Sequence, residues 1–227
     1  MEQNPSPEDW YAPIPERRPR PWHWVIIAAV VAMLAWETVQ RPSAGDGRFR
    51  LEAEDRTAYA WGGTDSASFA EVAAFLDANP QVETLVLRDV PGTSDMATNT
   101  RIARLIRARG LDTHLEHDSF IASGGVHLFM AGENRTFECG ARIGVHSWKD
   151  TRGNTPRSLG EDPAEGYMTA FHRDMGVDPE FYAFSRDASP HEAVYFVDED
   201  QAESFNLATR SCERVSWTER WFGWDAT

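Results

Sequence analysis

After residue 56, short apolar segments alternate with segments whose apolar residues recur at helical spacing, and this alternation is the strongest constraint on the fold. Residues 82–90 form an apolar run rich in Val and Leu, which is typical of a strand buried on both faces. The next segment places Ile102 and Ile106 on one helical face and ends at Gly110. Because parallel strands need crossover helices of this kind, the alternation predicts an α/β fold with mostly parallel strands.

The N-terminal part of the chain has a different composition. Residues 1–21 are rich in proline and polar side chains, and they offer too little apolar surface to offset the entropy of ordering, so we expect a disordered arm. Residues 22–39 are almost wholly apolar and carry Trp near both ends, which is typical of a helix that crosses a bilayer. A cleaved signal peptide and a buried core helix are the alternatives to this single transmembrane helix.

The charges beside the apolar segment predict its orientation. Arg17, Arg18 and Arg20 lie just before it, and positively charged flanks favour the cytoplasmic side. We therefore expect a single-pass protein of the inner (cytoplasmic) membrane, with residues 1–21 in the cytoplasm. The stretch 40–56 then reads as a linker to a body in the periplasm or outside the cell.

Charge and cysteine content restrict the function classes. The net charge of −14 argues against a general nucleic-acid binder, which needs a basic face. In an exported body, Cys139 and Cys212 could form a disulfide, and two separate free thiols are the alternative. Neither cysteine has the spacing to a histidine that a zinc site uses, so we expect no metal and no cofactor.

One stretch, ASGGVHLFMAG, places Ser123 at the start of an apolar helix with two glycines behind it. Free N–H groups and the positive end of the helix dipole lie at such a position and favour an oxyanion, so Ser123 is a candidate nucleophile. A serine before an apolar helix is more often an N-cap, and we expect Ser123 to cap the helix in either case.

Two further elements carry candidate chemistry. The strand that ends in Pro-Gly leaves N–H groups free at Gly92 and Thr93, although a plain turn would leave them free as well. His146 follows a short apolar strand, where a general base could lie at a loop edge. His127 lies one helical turn after Ser123 and is expected to pack within the helix instead.

The order of these motifs resembles the Clp-protease/crotonase superfamily, in particular the small membrane-anchored or periplasmic Clp-fold proteins of bacteria. ASGGVHLFMAG is similar to the family's nucleophile stretch, and His146 follows Ser123 by 23 residues, which is close to the family's spacing. The turn at 91–93 is similar to the family's oxyanion turn, and VDEDQAESFNLAT is similar to a motif near its C-terminal end.

The resemblance implies a domain at 57–210 built as a superhelix of repeated β-β-α units, followed by a Trp-rich tail at 211–227. It also implies a homo-oligomer and a peptide or protein substrate. In the site it implies Ser123 as the nucleophile and His146 as the base. The oxyanion hole would be formed by N–H groups of Gly92 or Thr93 and of Gly124.

Two departures from the family pattern bear on activity. Thr93 replaces the second glycine of the oxyanion turn, so its Cβ could narrow the approach. The family's acidic residue aligns with Val194, which leaves Asp187 and Glu192 as the nearest candidates to orient His146. Lys149, the chain's only lysine, is a remote second base.

Three functions follow from these observations. The first is a membrane-anchored, extracytoplasmic Clp-fold serine hydrolase that acts as a peptidase. The second is an inactive scaffold of the same fold that binds peptides or partner proteins at the membrane. The third is a crotonase-like enzyme acting on acyl thioesters, a class that typically uses carboxylates as acid and base.

Overall fold

The computed structural model describes residues 47–149 and 162–215, and this part contains eight strands and six helices. The predicted arm and transmembrane helix at 1–39 lie outside it. No helix within the described residues is long and apolar enough to cross a membrane. The strands are β1 (Arg50–Glu54), β2 (Thr57–Trp61), β3 (Thr84–Val90), β4 (Asp112–Leu115), β5 (Phe120–Ala122), β6 (Arg135–Phe137), β7 (Arg142–Val145) and β8 (Tyr195–Val197). The helices are α1 (Ser68–Ala78), α2 (Met96–Ala108), α3 (Gly124–Met130), α4 (Glu165–Asp174), α5 (Glu180–Ala188) and α6 (Glu199–Ser204).

The strands form one mixed sheet in which most pairings are parallel. Five of the seven strand pairings are parallel, and only the two outer pairings, β1–β2 and β7–β8, are antiparallel. β3 pairs with two successive strands: its first half pairs with β4, and its last residues pair with β5. The prediction of an α/β fold with mostly parallel strands is therefore confirmed.

Two successive β-β-α units repeat the same arrangement. The first comprises β4, β5 and α3, and the second comprises β6, β7 and α4. Their first strands pair with each other, as do their second strands. This stacking brings the carboxyl ends of β3, β5 and β7 to neighbouring positions, where the turns to α2, α3 and the segment after β7 begin.

The predicted linker 40–56 needs a correction at its C-terminal end. Residues Arg50–Glu54 form strand β1, which pairs antiparallel with β2 through a tight turn at Asp55, a residue with φ of 51°. The apolar side chains of Phe49, Leu51 and Ala53 alternate with charged ones, which is the pattern of a strand with one solvated face. The high charge of this stretch concealed that alternation.

The helices that support the site are buried against the sheet. α2 begins at Asp95, whose carboxylate accepts a hydrogen bond from Thr98 N at 3.0 Å, and it packs against both α1 and α3. In α3, Leu128, Phe129 and Met130 are completely buried. The start of α3 is therefore held in place by the core of the domain.

The C-terminal end of the domain is held by a disulfide. Cys139 and Cys212 are bonded, with their Cα atoms 5.0 Å apart. Beside the bond, Cys139 N donates to Glu213 O at 2.9 Å and Glu213 N donates to Phe137 O at 2.8 Å. Residues 212–213 thus belong to the packed domain, so the predicted boundary at 210 falls short.

Candidate active site

Ser123 lies at the junction between β5 and α3 in an unusual backbone conformation. Its dihedral angles are φ 50° and ψ −116°, and its N–H donates to Gly144 O at 3.0 Å. Its side chain makes no capping hydrogen bond, so the expectation that Ser123 caps the helix is wrong. An N-cap residue normally takes extended dihedral angles, which Ser123 does not have.

The positive φ of Ser123 marks a strained backbone. A non-glycine residue in this region costs about 1–3 kcal/mol and is found mainly at functional sites. Within the described residues, Ser123 Oγ forms no hydrogen bond and is not among the buried unpaired atoms, so it is accessible. Ser123 lines a pocket of about 840 Å³, a volume suited to a small ligand or a peptide side chain.

The glycines after Ser123 permit close packing of the helix start. A Cβ at Gly125 would lie 2.1 Å from Val90 O, so only glycine allows α3 to approach the end of β3 this closely. A Cβ at Gly92 would lie 3.6 Å from Ser123 Cβ. The Pro-Gly turn after β3 and the start of α3 are therefore neighbours.

This packing brings together the predicted oxyanion-hole residues. A Cβ at Gly124 would lie 3.0 Å from Thr93 N and 2.7 Å from Thr93 Cγ2, so Thr93 packs directly over Gly124. In the part of the chain that the structure describes, the N–H groups of Gly92 and Thr93 donate no hydrogen bond. Free backbone N–H groups next to Ser123 Oγ are the arrangement that stabilises an oxyanion.

The replacement of the family's second glycine by Thr93 is accommodated locally. Thr93 Oγ1 lies within donating distance of two carbonyl oxygens that share its one proton, Thr64 O at 3.2 Å and Asp95 O at 3.0 Å, and it accepts from Asp95 N at 3.0 Å. The side chain is thereby turned into its own loop, with its methyl group over Gly124. Gly124 has no side chain and so leaves room for this methyl group, while the narrowed approach of substrate to the turn stays a prediction.

A buried asparagine, which the sequence interpretation missed, links the turn after β3 to the start of α3. Asn99 is fully buried; its Nδ2 donates to Gly124 O at 2.9 Å, and its Oδ1 accepts from Thr64 Oγ1 at 2.7 Å. Thr64 N in turn donates to Gly92 O at 3.1 Å. The only signal in the sequence is a polar residue on the apolar face of α2, three positions before Ile102.

His146 follows β7 and lines the same pocket as Ser123. Its Nδ1 lies 2.5 Å from Ser147 O, a carbonyl oxygen that can only accept, so Nδ1 carries the proton of the neutral ring. Among the residues that the structure describes, no hydrogen bond joins His146 to Ser123. Catalytic hydrogen bonds are often long before a substrate binds.

Neither candidate for the third catalytic member contacts His146. Asp187 accepts from Arg186 Nε at 2.8 Å and Nη2 at 3.0 Å, and these bonds hold the pKa of its carboxyl below the usual range. Glu192 pairs with Lys149, which likewise lowers the pKa of Glu192. The remote second base, Lys149, is thus engaged with a carboxylate. In this structure neither Asp187 nor Glu192 forms a hydrogen bond with His146, and their role as a third member stays a prediction.

Val194 occupies the strand edge beside the histidine. A Cβ at Gly144, two residues before His146, would lie 2.5 Å from Val194 Cγ1, so the valine side chain covers that glycine. Val194 has no hydrogen-bonding side chain and is 41% exposed. The position that the resemblance assigns to the acid therefore offers His146 no partner.

Two neutral histidines form part of the pocket's inner wall. Burial lowers the pKa of His127 to about 3 and that of His172 to about 4, so both rings are uncharged at neutral pH. Their rings lie 5.8 Å apart, and His127 also packs edge-on against Phe171. This agrees with the expectation that His127 packs within the helix, and the two rings add no charge to the wall.

Comparisons with known proteins found neither a matching family model nor a matching curated protein. Among solved structures, a mutant of the 1510-N membrane-bound stomatin-specific protease is 11% identical and covers 70% of this chain and 80% of its own, with a TM-score of 0.48. Another mutant of that protease, in complex with a substrate peptide, is 13% identical over 70% and 75%, with a TM-score of 0.46.

An enoyl-CoA hydratase from Polaromonas is 11% identical over 74% of this chain and 71% of its own, with a TM-score of 0.47. At these identities and TM-scores, the roles of individual residues rest on the geometry of this chain alone.

Proposed function

We propose that this chain is a serine hydrolase of the Clp/crotonase type that cleaves peptide bonds. The observation that carries the proposal is Ser123, which has strained dihedral angles, an accessible Oγ and no capping role. A hydroxyl held in this way at a strand-to-helix turn suits a nucleophile better than a structural serine.

In the proposed reaction, Ser123 Oγ attacks the carbonyl carbon of the scissile peptide. His146 Nε2 takes the hydroxyl proton, and the π electrons of the scissile carbonyl move to its oxygen. The resulting oxyanion accepts hydrogen bonds from the N–H groups of Gly92 or Thr93 and of Gly124. Collapse of this intermediate breaks the C–N bond, and His146 returns its proton to the leaving amine.

The acyl-enzyme is then hydrolysed by the same groups. A water molecule gives a proton to His146 Nε2 and attacks the acyl carbon. The second oxyanion collapses, the bond to Ser123 Oγ breaks, and His146 returns the proton to the serine. The products are a free acid and an amine, and the enzyme is regenerated.

The location of the reaction is also part of the proposal. Residues 22–39 would anchor the chain in the inner membrane, with the body outside the cytoplasm. The disulfide between Cys139 and Cys212 supports this location, because such bonds persist in oxidising compartments. A homo-oligomer is proposed from the family resemblance, and size-exclusion chromatography with light scattering on the detergent-solubilised chain tests it.

A catalytically inactive scaffold that binds peptides is the second candidate. It is favoured by two features of the described residues: no carboxylate contacts His146, and no hydrogen bond joins His146 to Ser123. An enzyme acting on acyl thioesters would use the same N–H groups on the thioester carbonyl. Binding of coenzyme A to the purified chain would favour this third candidate.

Cleavage of peptides distinguishes the first two candidates. The full chain and its Ser123→Ala variant, both in detergent, are incubated with a tryptic peptide mixture, and new termini are read by mass spectrometry. A peptidase produces new termini with the wild type and none with the variant. A scaffold produces none with either protein and retains the same peptides on both. Equal cleavage by both proteins would refute the role of Ser123.

A further inference from the structure

The acceptor of the His146 Nδ1 hydrogen bond is the main-chain carbonyl of Ser147, a buried residue that is held by a backbone hydrogen bond. Ser147 is buried, with 3% of its surface exposed, and its N–H donates to Ser189 O at 2.8 Å. This hydrogen bond holds Ser147, the residue that carries the carbonyl, against Ser189 at the end of α5. A carbonyl anchored in this way can act as a rigid acceptor for His146 Nδ1 at 2.5 Å.

A second histidine lies next to the same oxygen. His191 Nδ1 is 3.4 Å from Ser147 O, and the His191 and His146 rings are nearly perpendicular, with centroids 5.4 Å apart. A carbonyl oxygen has two lone pairs and can accept from both rings. Both rings then turn Nδ1 toward Ser147 O, which leaves Nε2 of each ring as the nitrogen without the proton.

The physical consequence for His146 concerns its tautomer. In serine proteases with an acidic third member, replacing Asp by Asn lowers kcat about 10⁴-fold because the amide selects the wrong imidazole tautomer. A main-chain carbonyl has no donor, so it selects the same tautomer as a carboxylate does. It lacks the negative charge, so it stabilises the imidazolium less strongly.

We propose that Ser147 O replaces the acidic third member and holds His146 as the Nδ1–H tautomer, with Nε2 free to accept the proton of Ser123. This inference rests on the proposed function and deepens it. Ser147 acts as a positioning residue through its backbone, so side-chain carboxylates nearby are dispensable for the reactivity of Ser123.

The tautomer is measured directly by nitrogen NMR. The full chain is labelled with ¹⁵N-histidine in detergent at pH 8, and the His146 signals are those that disappear in the His146→Gln variant. The expected result is a protonated Nδ1 and an unprotonated Nε2. A protonated Nε2 would overturn the proposal, and this readout is independent of catalysis.

The dispensable carboxylates are tested by the rate of labelling with a fluorophosphonate. In Asp187→Asn and in Glu192→Gln, Ser123 should be labelled at a rate within about threefold of that in the wild type. Loss of a true third member, by contrast, lowers kcat about 10⁴-fold in serine proteases. A loss of about 100-fold or more in either folded variant, judged by its melting curve, would overturn the proposal.

The two sets of data separate the inference from the function on which it rests. If the wild type shows the Nδ1–H tautomer but never labels at Ser123, the proposed hydrolase fails while the placement of His146 stands. If the wild type labels but His146 carries its proton on Nε2, the hydrolase stands and the carbonyl does not orient the ring.

Discussion

The strain at Ser123 should be measurable as lost stability. At φ 50° and ψ −116°, a side chain costs about 1–3 kcal/mol, and glycine has no such cost because the mirror-image conformation is an ordinary extended one. Ser123→Gly removes the strain, but glycine loses more conformational entropy on folding, which lowers stability by about 0.5–1 kcal/mol. Ser123→Ala keeps the strain and deletes a hydroxyl that forms no hydrogen bond within the described residues.

The two variants should therefore differ in a defined direction. The free energy of unfolding of Ser123→Ala should lie within about 0.5 kcal/mol of the wild-type value, because the Oγ of Ser123 forms no hydrogen bond within the described residues that the variant would lose. Ser123→Gly should be more stable than Ser123→Ala by up to about 2.5 kcal/mol, which is the strain relieved less the entropic cost of glycine. The assay is urea unfolding of the full chain at a fixed detergent concentration, followed by Trp fluorescence and circular dichroism, with m values compared.

Ser119 provides a matched control. Like Ser123 Oγ, its Oγ forms no hydrogen bond within the described residues, although it is buried, and its φ is not positive. Ser119→Gly should be less stable than Ser119→Ala by about 0.5–1 kcal/mol, which is a difference of the opposite sign to that expected at Ser123. If the Gly-minus-Ala difference had the same sign at both positions, the backbone of Ser123 would not be strained, and the reasoning for its role would lose its main support.

Three further predictions follow from buried or crosslinked groups. His172 has a pKa of about 4 when folded and about 6.5 when unfolded, so falling pH protonates the unfolded state first and stability is lost below about pH 6.5. Wild type should lose about 2.5 kcal/mol through this group between pH 7.5 and 4.5, and His172→Gln should not. Asn99→Leu leaves Thr64 Oγ1 and Gly124 O unpaired, so it should cost about 2–4 kcal/mol and slow labelling of Ser123. Replacing Cys139 and Cys212 by Ser opens a loop with a sequence separation of 73, which should lower stability by about 2–4 kcal/mol.

Each of these predictions has a result that contradicts it. An identical pH dependence in wild type and His172→Gln would mean that the ring is not buried in the neutral form. An Asn99→Leu variant with wild-type stability and labelling would show that the buried amide does not hold the oxyanion turn. Equal stability of the oxidised and Cys-free chains would mean that the disulfide does not form or does not constrain the unfolded state.

Local patterns in the sequence were sufficient to predict most of the elements near the site. The apolar run at 82–90 and the helical face of Ile102 and Ile106 became β3 and α2, because hydrophobic periodicity reflects burial directly. β1 was missed because its charged residues outweigh the alternation of Phe49 and Leu51. An edge strand with a solvated face has a weak signal of this kind.

The geometry of the site depended on contacts between distant segments and could not be predicted in full. The sequence suggested Ser123 and His146, yet it favoured a helix cap at Ser123 because the backbone strain there has no local signature. The role of Asn99 depends on Thr64 and Gly124, each at least 25 residues away. The pairing of Asp187 with Arg186 is local, but it became visible only once the helix α5 was in place.

The most direct test of the account is whether Ser123 is a working nucleophile. The detergent-solubilised full chain is treated with a fluorophosphonate, and the adduct is located by peptide mass spectrometry in wild type, Ser123→Ala and His146→Ala. The account predicts a single adduct on Ser123 in the wild type and no labelling in either variant. A well-folded wild type that takes no label, or a label on another residue, would contradict it.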